Sequence, residues 1–197
     1  MQVRMVGASA VLVEYDDPAD VLAAYAEGRR RGVSLEIVPA ATTVLFDGVA
    51  DPHTLAAEIR TWTLSPVAPD AGDLVELPTT YDGPDLDSVA RHWDLTTREV
   101  VALHRGTEFV VAFCGFAPGF AYCRGLPGHL AVPRLADPRA RVPAGSVALA
   151  GPFTGIYPTA SPGGWQLIGR TDAVLWRPDL GQPALLVPGT RVRFVDA

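Results

Sequence analysis

Residues 115–171 read GFAPGFAYCRGLPGHLAVPRLADPRARVPAGSVALAGPFTGIYPTASPGGWQLIGRT. Glycines and prolines recur through the stretch and restrict its backbone, so its shape is specified rather than loose. Arginines stand at 124, 134, 139, 141 and 170, with no lysine among them. The guanidinium is a planar fork that matches a carboxylate or a phosphate. Ser146, Thr154 and Ser161 sit beside or near glycines, where backbone N–H groups can also point at an anion. These residues leave two readings open. One is a pocket for an anionic or amide ligand; the other is architecture, with arginines tying loops to carbonyls and glycines that simply turn. PAGS and SPGG lack the GxxxxGK[ST] pattern of a phosphate-binding loop. No Ser-His-Asp or Cys-His arrangement can be read from spacing.

Around this stretch the pattern is that of short strands. Apolar runs recur at 109–113, 146–150, 165–168, 173–176, 184–187 and 191–195, separated by Pro-Gly turn signals. Many short strands with long Gly/Pro-rich connections predict a closed barrel or a sandwich. The long connection 114–145 is a place where function concentrates. Upstream, Leu86, Val89, Ala90 and Trp93 share one helix face, and Thr96 with Glu99 forms a T-x-x-E capping box for a helix carrying His104. Phe116, Phe120, Tyr122, Tyr157 and Trp165 read as core or pocket wall.

Residues 65–76 hold two prolines and three acids without periodicity, which marks a linker. Before it, 8–15, 35–38 and 42–46 read as strands. Asp17-Pro18 and Asp51-Pro52 each open a helix. Val21, Leu22 and Tyr25 give the first helix its stripe, and Gly32 stops it. Leu55, Ile59 and Trp62 give the second helix its face. The pattern suggests a split βαβ unit. The expected organisation is α+β, with a small N-terminal α/β domain at 1–72 and a β-barrel domain at 73–197.

Composition excludes several classes. The chain has 197 residues, is 48% hydrophobic and carries a formal net charge of -6, a poor match to a nucleic-acid backbone. No apolar run is long enough to span a bilayer, and the first residues lack the pattern of a signal peptide, so the expectation is a cytoplasmic protein. Cys114 and Cys123 lack zinc-ligand spacing, and His53, His92, His104 and His129 form no HxxxH pattern, so no metal is expected.

Five ordered motifs carry a resemblance: GFxPGFxY at 115–122, GLP at 125–127, PRxxxPRxxVPAGSVAxA at 133–150, TGIYP at 154–158 and SPGGWxxIGRT at 161–171. They resemble the signature of the B-type subunits of 5-oxoprolinase, a family also called allophanate hydrolase subunit 1. That family includes sporulation-kinase inhibitors and the corresponding carboxyltransferase subdomain of urea carboxylase. YDGPDLDSVA at 81–90 and EVVALH at 99–104 resemble its preceding segment. The resemblance implies a cyclophilin-like barrel in the second domain. It also implies an ATP-dependent hydrolase complex that opens the lactam of 5-oxoproline to glutamate, with ATP shared between subunits. The implied partners are a larger barrel-type subunit (the C-type, allophanate hydrolase subunit 2-like) and a third, LamB-type subunit. By position His104 is the expected catalytic group. Arg134, Arg139, Ser146, Thr154, Tyr157, Ser161 and Arg170 are the expected substrate-binding set, with Arg139 and Arg170 as anion holders. Cys123 and Thr190 depart from the pattern, where Leu and Asp are more frequent. Two other functions fit the resemblance: a carboxyltransferase component of a biotin-dependent, urea carboxylase-like enzyme, and a histidine-kinase inhibitor.

Overall fold

Each Asp-Pro pair does what its chemistry dictates. In the computed structural model, which describes residues 1–66 and 72–197, Asp17 caps helix α1 (Pro18–Arg31) by accepting from the Ala19 N–H at 2.8 Å. Asp51 caps α2 (Pro52–Ile59) by accepting from the N–H groups of His53 and Thr54 at 3.0 and 3.1 Å. Gly32 ends α1 in the left-handed conformation, with φ 63°.

The chain divides into two units, Met1–Ala71 and Gly72–Ala197. The first contains β1 (Gln2–Val6), β2 (Ala10–Glu14), β3 (Glu36–Pro39) and β4 (Thr43–Asp47), ordered β1-β2-β4-β3 with every neighbour antiparallel. β2 and β3 therefore run parallel on either side of β4, joined by α1, which is the split βαβ pattern. β1 is a strand beyond those the sequence predicts; Gln2 and Arg4 interrupt its apolar pattern. The buried side of α1 is also rotated from the expected stripe. Val21, Ala24 and Gly28 are buried, while Leu22 and Tyr25 are not. Gly28 allows this, because a Cβ there would lie 2.6 Å from the Phe46 ring.

The second unit is built on seven strands: β5 (Leu74–Thr79), β6 (Phe109–Cys114), β7 (Ala121–Arg124), β9 (Ser146–Ala150), β10 (Phe153–Ile156), β12 (Gln166–Arg170) and β13 (Arg191–Asp196). Their order in the sheet is β12-β9-β10-β7-β6-β13-β5. β5 runs parallel to β13; the other pairs are antiparallel. β5 corrects the expected linker at 65–76, whose remainder includes residues 67–71, outside the described residues. Leu74–Thr79 has no clear alternation of its own, and its partner β13 lies more than a hundred residues away. Past β5 the chain crosses to β12 and nearly closes a barrel. Thr80 and Arg170 exchange backbone bonds of 2.9 and 2.8 Å, and the Asp85 N–H donates to the Leu167 carbonyl at 2.9 Å. Gly169 permits the seam, since a Cβ there would meet the Thr80 carbonyl oxygen at 2.5 Å.

Helices α3 (Leu86–Trp93) and α4 (Thr97–Gly106) pack on this sheet, and the Thr96–Glu99 capping box is formed. The long connection after β6 is partly strand. It contains β7 and then β8 (Arg139–Val142), which pairs with β11 (Ser161–Gly163) in a separate two-stranded sheet. Residues 173–176 and 184–187 correct another expectation. They form no strand, only a Trp176–Ala184 bridge and a Leu185 N–H bond to the Leu175 carbonyl at 3.0 Å.

The sheet is buried on both sides, so all five residues of β9 are buried. Val147 and Leu149 enter the barrel core with Ala121 and Cys123; Ala148 and Ala150 join an outer cluster with Phe120, Tyr157 and Trp165.

Candidate functional site

The expected site residues separate onto these two faces. On the inner face, α4 drives His104 into the barrel with no solvent exposure. Its ring packs on Phe109 and Phe194 at centroid distances of 4.9 and 4.5 Å. Its nitrogens are both engaged: Nε2 lies 3.0 Å from Thr154 Oγ1 and Nδ1 lies 2.8 Å from the Tyr81 hydroxyl. Thr154 donates its single proton to the Ala148 carbonyl at 3.2 Å. Nε2 must then carry the imidazole proton and donate to Thr154, which leaves Nδ1 to accept from Tyr81. Burial pulls the His104 pKa down to about 3, so the ring is neutral at physiological pH. The expected role of His104 is proton donor or acceptor; the structure places it as a buried, neutral imidazole with both nitrogens engaged. In this chain it orients Tyr81 and Thr154.

On the outer face seven rings meet: Phe113, Phe116, Phe120, Tyr122, Phe153, Tyr157 and Trp165. Phe113 stacks on Tyr122 at 4.3 Å, and Phe120 makes edge contacts with Tyr157 and Trp165, both at 5.3 Å. The GFAPGF turn closes one side and places Phe116 in the left-handed region, φ 71°, with 62% of its surface exposed. A bulky residue held there carries strain, and such positions cluster at functional sites.

Arg134 stands exposed beside this wall, close enough for its charge to act on the Tyr122 and Tyr157 hydroxyls, and it has no ion pair among the described residues. Burial raises both phenols; Arg134 opposes the rise at Tyr122, and the Trp165 backbone hydrogen bond, then Arg134, oppose it at Tyr157, so both remain protonated. Arg134 belongs to a strap held by the Leu135 N–H on the Gly164 carbonyl at 2.7 Å and by Gln166 Nε2 on the Pro133 carbonyl at 3.2 Å. Beneath it, Ser161 Oγ and Gln166 Oε1 are buried without a hydrogen-bond partner among the described residues.

The other expected residues are tied into the framework. Arg139 pairs with Asp85 at 2.7 Å, and the other oxygen of Asp85 accepts from the Leu167 N–H at 2.6 Å. Arg170 pairs with Asp82 at 2.9 Å on the surface, and Ser146 donates to the Pro143 carbonyl at 2.8 Å. The structure therefore brings Arg134, Arg139, Tyr157 and Ser161 toward one face and His104 with Thr154 into the interior. Ser146 and Arg170 face each other across the β9–β12 register. Tyr81, Asp82 and Asp85, which hold His104, Arg170 and Arg139, escape a reading of the sequence for site residues. Their signal is the YDGPD segment, whose acids alternate with turn formers.

The chain matches the family described as Carboxyltransferase domain, subdomain C and D, over residues 1–186. It is 40% identical to the B-type subunit of 5-oxoprolinase from Escherichia coli O157:H7, over 97% of this chain and 94% of that protein. It is 36% identical to the corresponding 5-oxoprolinase subunit of Bacillus subtilis (strain 168), over 98% and 92% of the two chains. The chain belongs to the family of 5-oxoprolinase B-type subunits. The same fold occurs in a solved structure of TTHA0988, with TM-score 0.76 and 33% identity. That match covers 100% of this chain but 40% of TTHA0988, so this chain spans less than half of that longer protein. The fold of the 5-oxoprolinase B-type subunits is thus found both in separate subunits and as part of a longer chain.

Proposed function

We propose that this chain is the B-type subunit of an ATP-dependent 5-oxoprolinase, a cytoplasmic complex that hydrolyses the lactam of 5-oxoproline to glutamate. The observation that carries the reading is the 40% identity to a 5-oxoprolinase subunit of this type across nearly the whole length of both chains. Its partners in this reading are the larger, C-type barrel subunit and a LamB-type third subunit.

The chemistry suits the outer face. A lactam is a poor electrophile, and ATP, when bound, supplies a phosphoryl group that activates its oxygen. Catalysis of that kind rests on positioning and charge stabilisation rather than on a nucleophile of the protein. Arg134, exposed and with no carboxylate partner among the described residues, and the half-buried Tyr122, whose hydroxyl feels its charge, are suited to phosphate oxygens. Arg139, locked to Asp85, supplies positive charge and holds the strand beside it. The sequence has no phosphate-binding loop, so the remaining ATP contacts fall to partner subunits.

The test is ATP-dependent glutamate release by the chain co-expressed with both partners. Arg134→Ala is expected to lower turnover at least about tenfold, about 1.4 kcal/mol of transition-state stabilisation, with folding unchanged. No turnover from an assembled complex sinks the reading. The carboxyltransferase family match favours one alternative, carboxyl transfer from biotin carried on another protein. Turnover that requires a biotinylated carrier and bicarbonate selects it.

A further inference from the structure

We infer that the outer side of the hairpin at 173–187 is a self-association surface, through which two copies of this chain pair about a two-fold axis. This pairing is independent of the proposed reaction.

The hairpin is apolar on both sides. Its arms are joined by the Arg177 N–H on the Pro183 carbonyl at 2.8 Å and the Leu185 N–H on the Leu175 carbonyl at 3.0 Å. The Leu180 N–H closes the tip on the Arg177 carbonyl at 3.2 Å. Leu175 and Leu186 are buried in the barrel core. Their neighbours Val174, Trp176 and Leu185 alternate with them and are exposed, as is Leu180 at the tip. Segments apolar on both sides belong between two layers, as β9 does with all five of its residues buried. The hairpin has one layer beneath it and solvent above.

Two clefts open on that side. One, of about 400 Å³, lies between the GFAPG turn at 115–119 and Trp176. The other, of about 470 Å³, is walled by Val174, Leu180 and Leu185. Ala184 lines both, and eight residues line each. One side of a standard interface uses about 20–30 residues, so the patch suits a modest dimer. In a two-fold contact residue i meets j and j meets i. An axis through the patch seats Leu180 of each copy in the other's first cleft, beside Trp176. Arg177 and Asp179 flank Leu180 at the tip; both are exposed, and neither has an ion pair among the described residues. The same axis sets Arg177 of one copy against Asp179 of the other, twice. A rim with both signs two residues apart is matched by itself, whereas a partner of one charge sign leaves one of them opposed.

Sedimentation equilibrium of the full-length chain is expected to show monomer and dimer in exchange, with a Kd of about 1–100 μM, as suits a small interface. Leu180→Asp puts a charge into an apolar cleft and is expected to weaken the dimer at least about tenfold. Arg177→Asp and Asp179→Arg are each expected to weaken it about three- to tenfold, by setting like charges together. The double variant Arg177→Asp/Asp179→Arg is expected to restore the original Kd. Swapping both signs within one chain rescues binding only when the partner carries the same swap. Leu35→Ser, exposed on the first unit, is expected to change nothing. The substituted side chains are all exposed, so melting curves at monomeric concentration are expected to coincide. A chain that stays monomeric throughout that range overturns the inference. So does a dimer indifferent to Leu180→Asp, or a double variant no better than either single one. If the chain alone is monomeric and Leu180→Asp abolishes its association with a co-expressed subunit, the surface belongs to that subunit and the inference is again overturned.

Discussion

The two faces of the seven-stranded sheet are built from alternate residues of the same strands, yet they differ in kind. The inner face is a continuous apolar core with one polar thread, Tyr81–His104–Thr154, whose members satisfy one another. The outer face is a ring cluster bordered by arginines, with a strained, exposed Phe116 and two buried polar atoms left unpartnered among the described residues. A face that completes its own hydrogen bonds is suited to stability, and one that leaves groups unmatched is suited to binding. His104 and Thr154 match the family motif as well as Arg134 does, so a motif match alone does not separate the two roles.

The sharpest way to break this contrast is to truncate one ring on each face. Phe194, 1% exposed and edge-on to Phe109 at 5.5 Å, is expected to cost about 3–5 kcal/mol as Phe194→Ala in chemical denaturation. Phe116→Ala is expected to stay within about 0.5 kcal/mol. Equal losses at both sites contradict the division.

A smaller effect comes from pH. Unfolded, His104 titrates near 6.5; folded, at about 3. The unfolded state therefore binds the extra proton between these values, and stability present above pH 6.5 is lost as pH falls toward 3. Between pH 7 and 5 this amounts to about 2 kcal/mol. Denaturation midpoints across that range measure it, and His104→Asn is expected to flatten the slope by about one proton. An unchanged slope means that His104 is not buried as described.

The arginines give the smallest differences. Arg139→Ala leaves Asp85, 8% exposed, without its cation. Because the Arg139 side chain is itself 27% exposed, solvent screens the pair and the expected loss is about 1–2 kcal/mol. Arg170→Ala breaks a surface pair and is expected to leave the melting temperature unchanged. A melting curve for each variant ranks them; the reverse order would move the structural anchor to the barrel seam.

Local chemistry was legible wherever it was sufficient. The two Asp-Pro starts, the Gly32 stop and the Thr96–Glu99 box each depend on atoms within four residues, and all formed as read. The runs 109–113 and 191–195 became strands because their apolar residues have partners on adjacent strands. The runs 173–176 and 184–187 look similar and bury Leu175 and Leu186, but no ladder extends them beyond the single Trp176–Ala184 bridge. β5 failed as a reading for the opposite reason: its order comes from β13, and nothing nearby announces it. At the candidate site the aromatic wall was foreseeable, but Tyr81 and Asp85 were not, since their partners lie 23 and 54 residues away.

By itself, the sequence determined the family, the α+β class, the helix ends and the set of residues from which a site could be made. Those follow from ordered motifs and from contacts local along the chain. Only the tertiary structure decided which of those residues reach solvent. Strand alternation places neighbours on opposite faces, and a barrel buries one face completely. His104 thus lost its charge to desolvation, while Arg134, on the strap outside, kept its access to solvent.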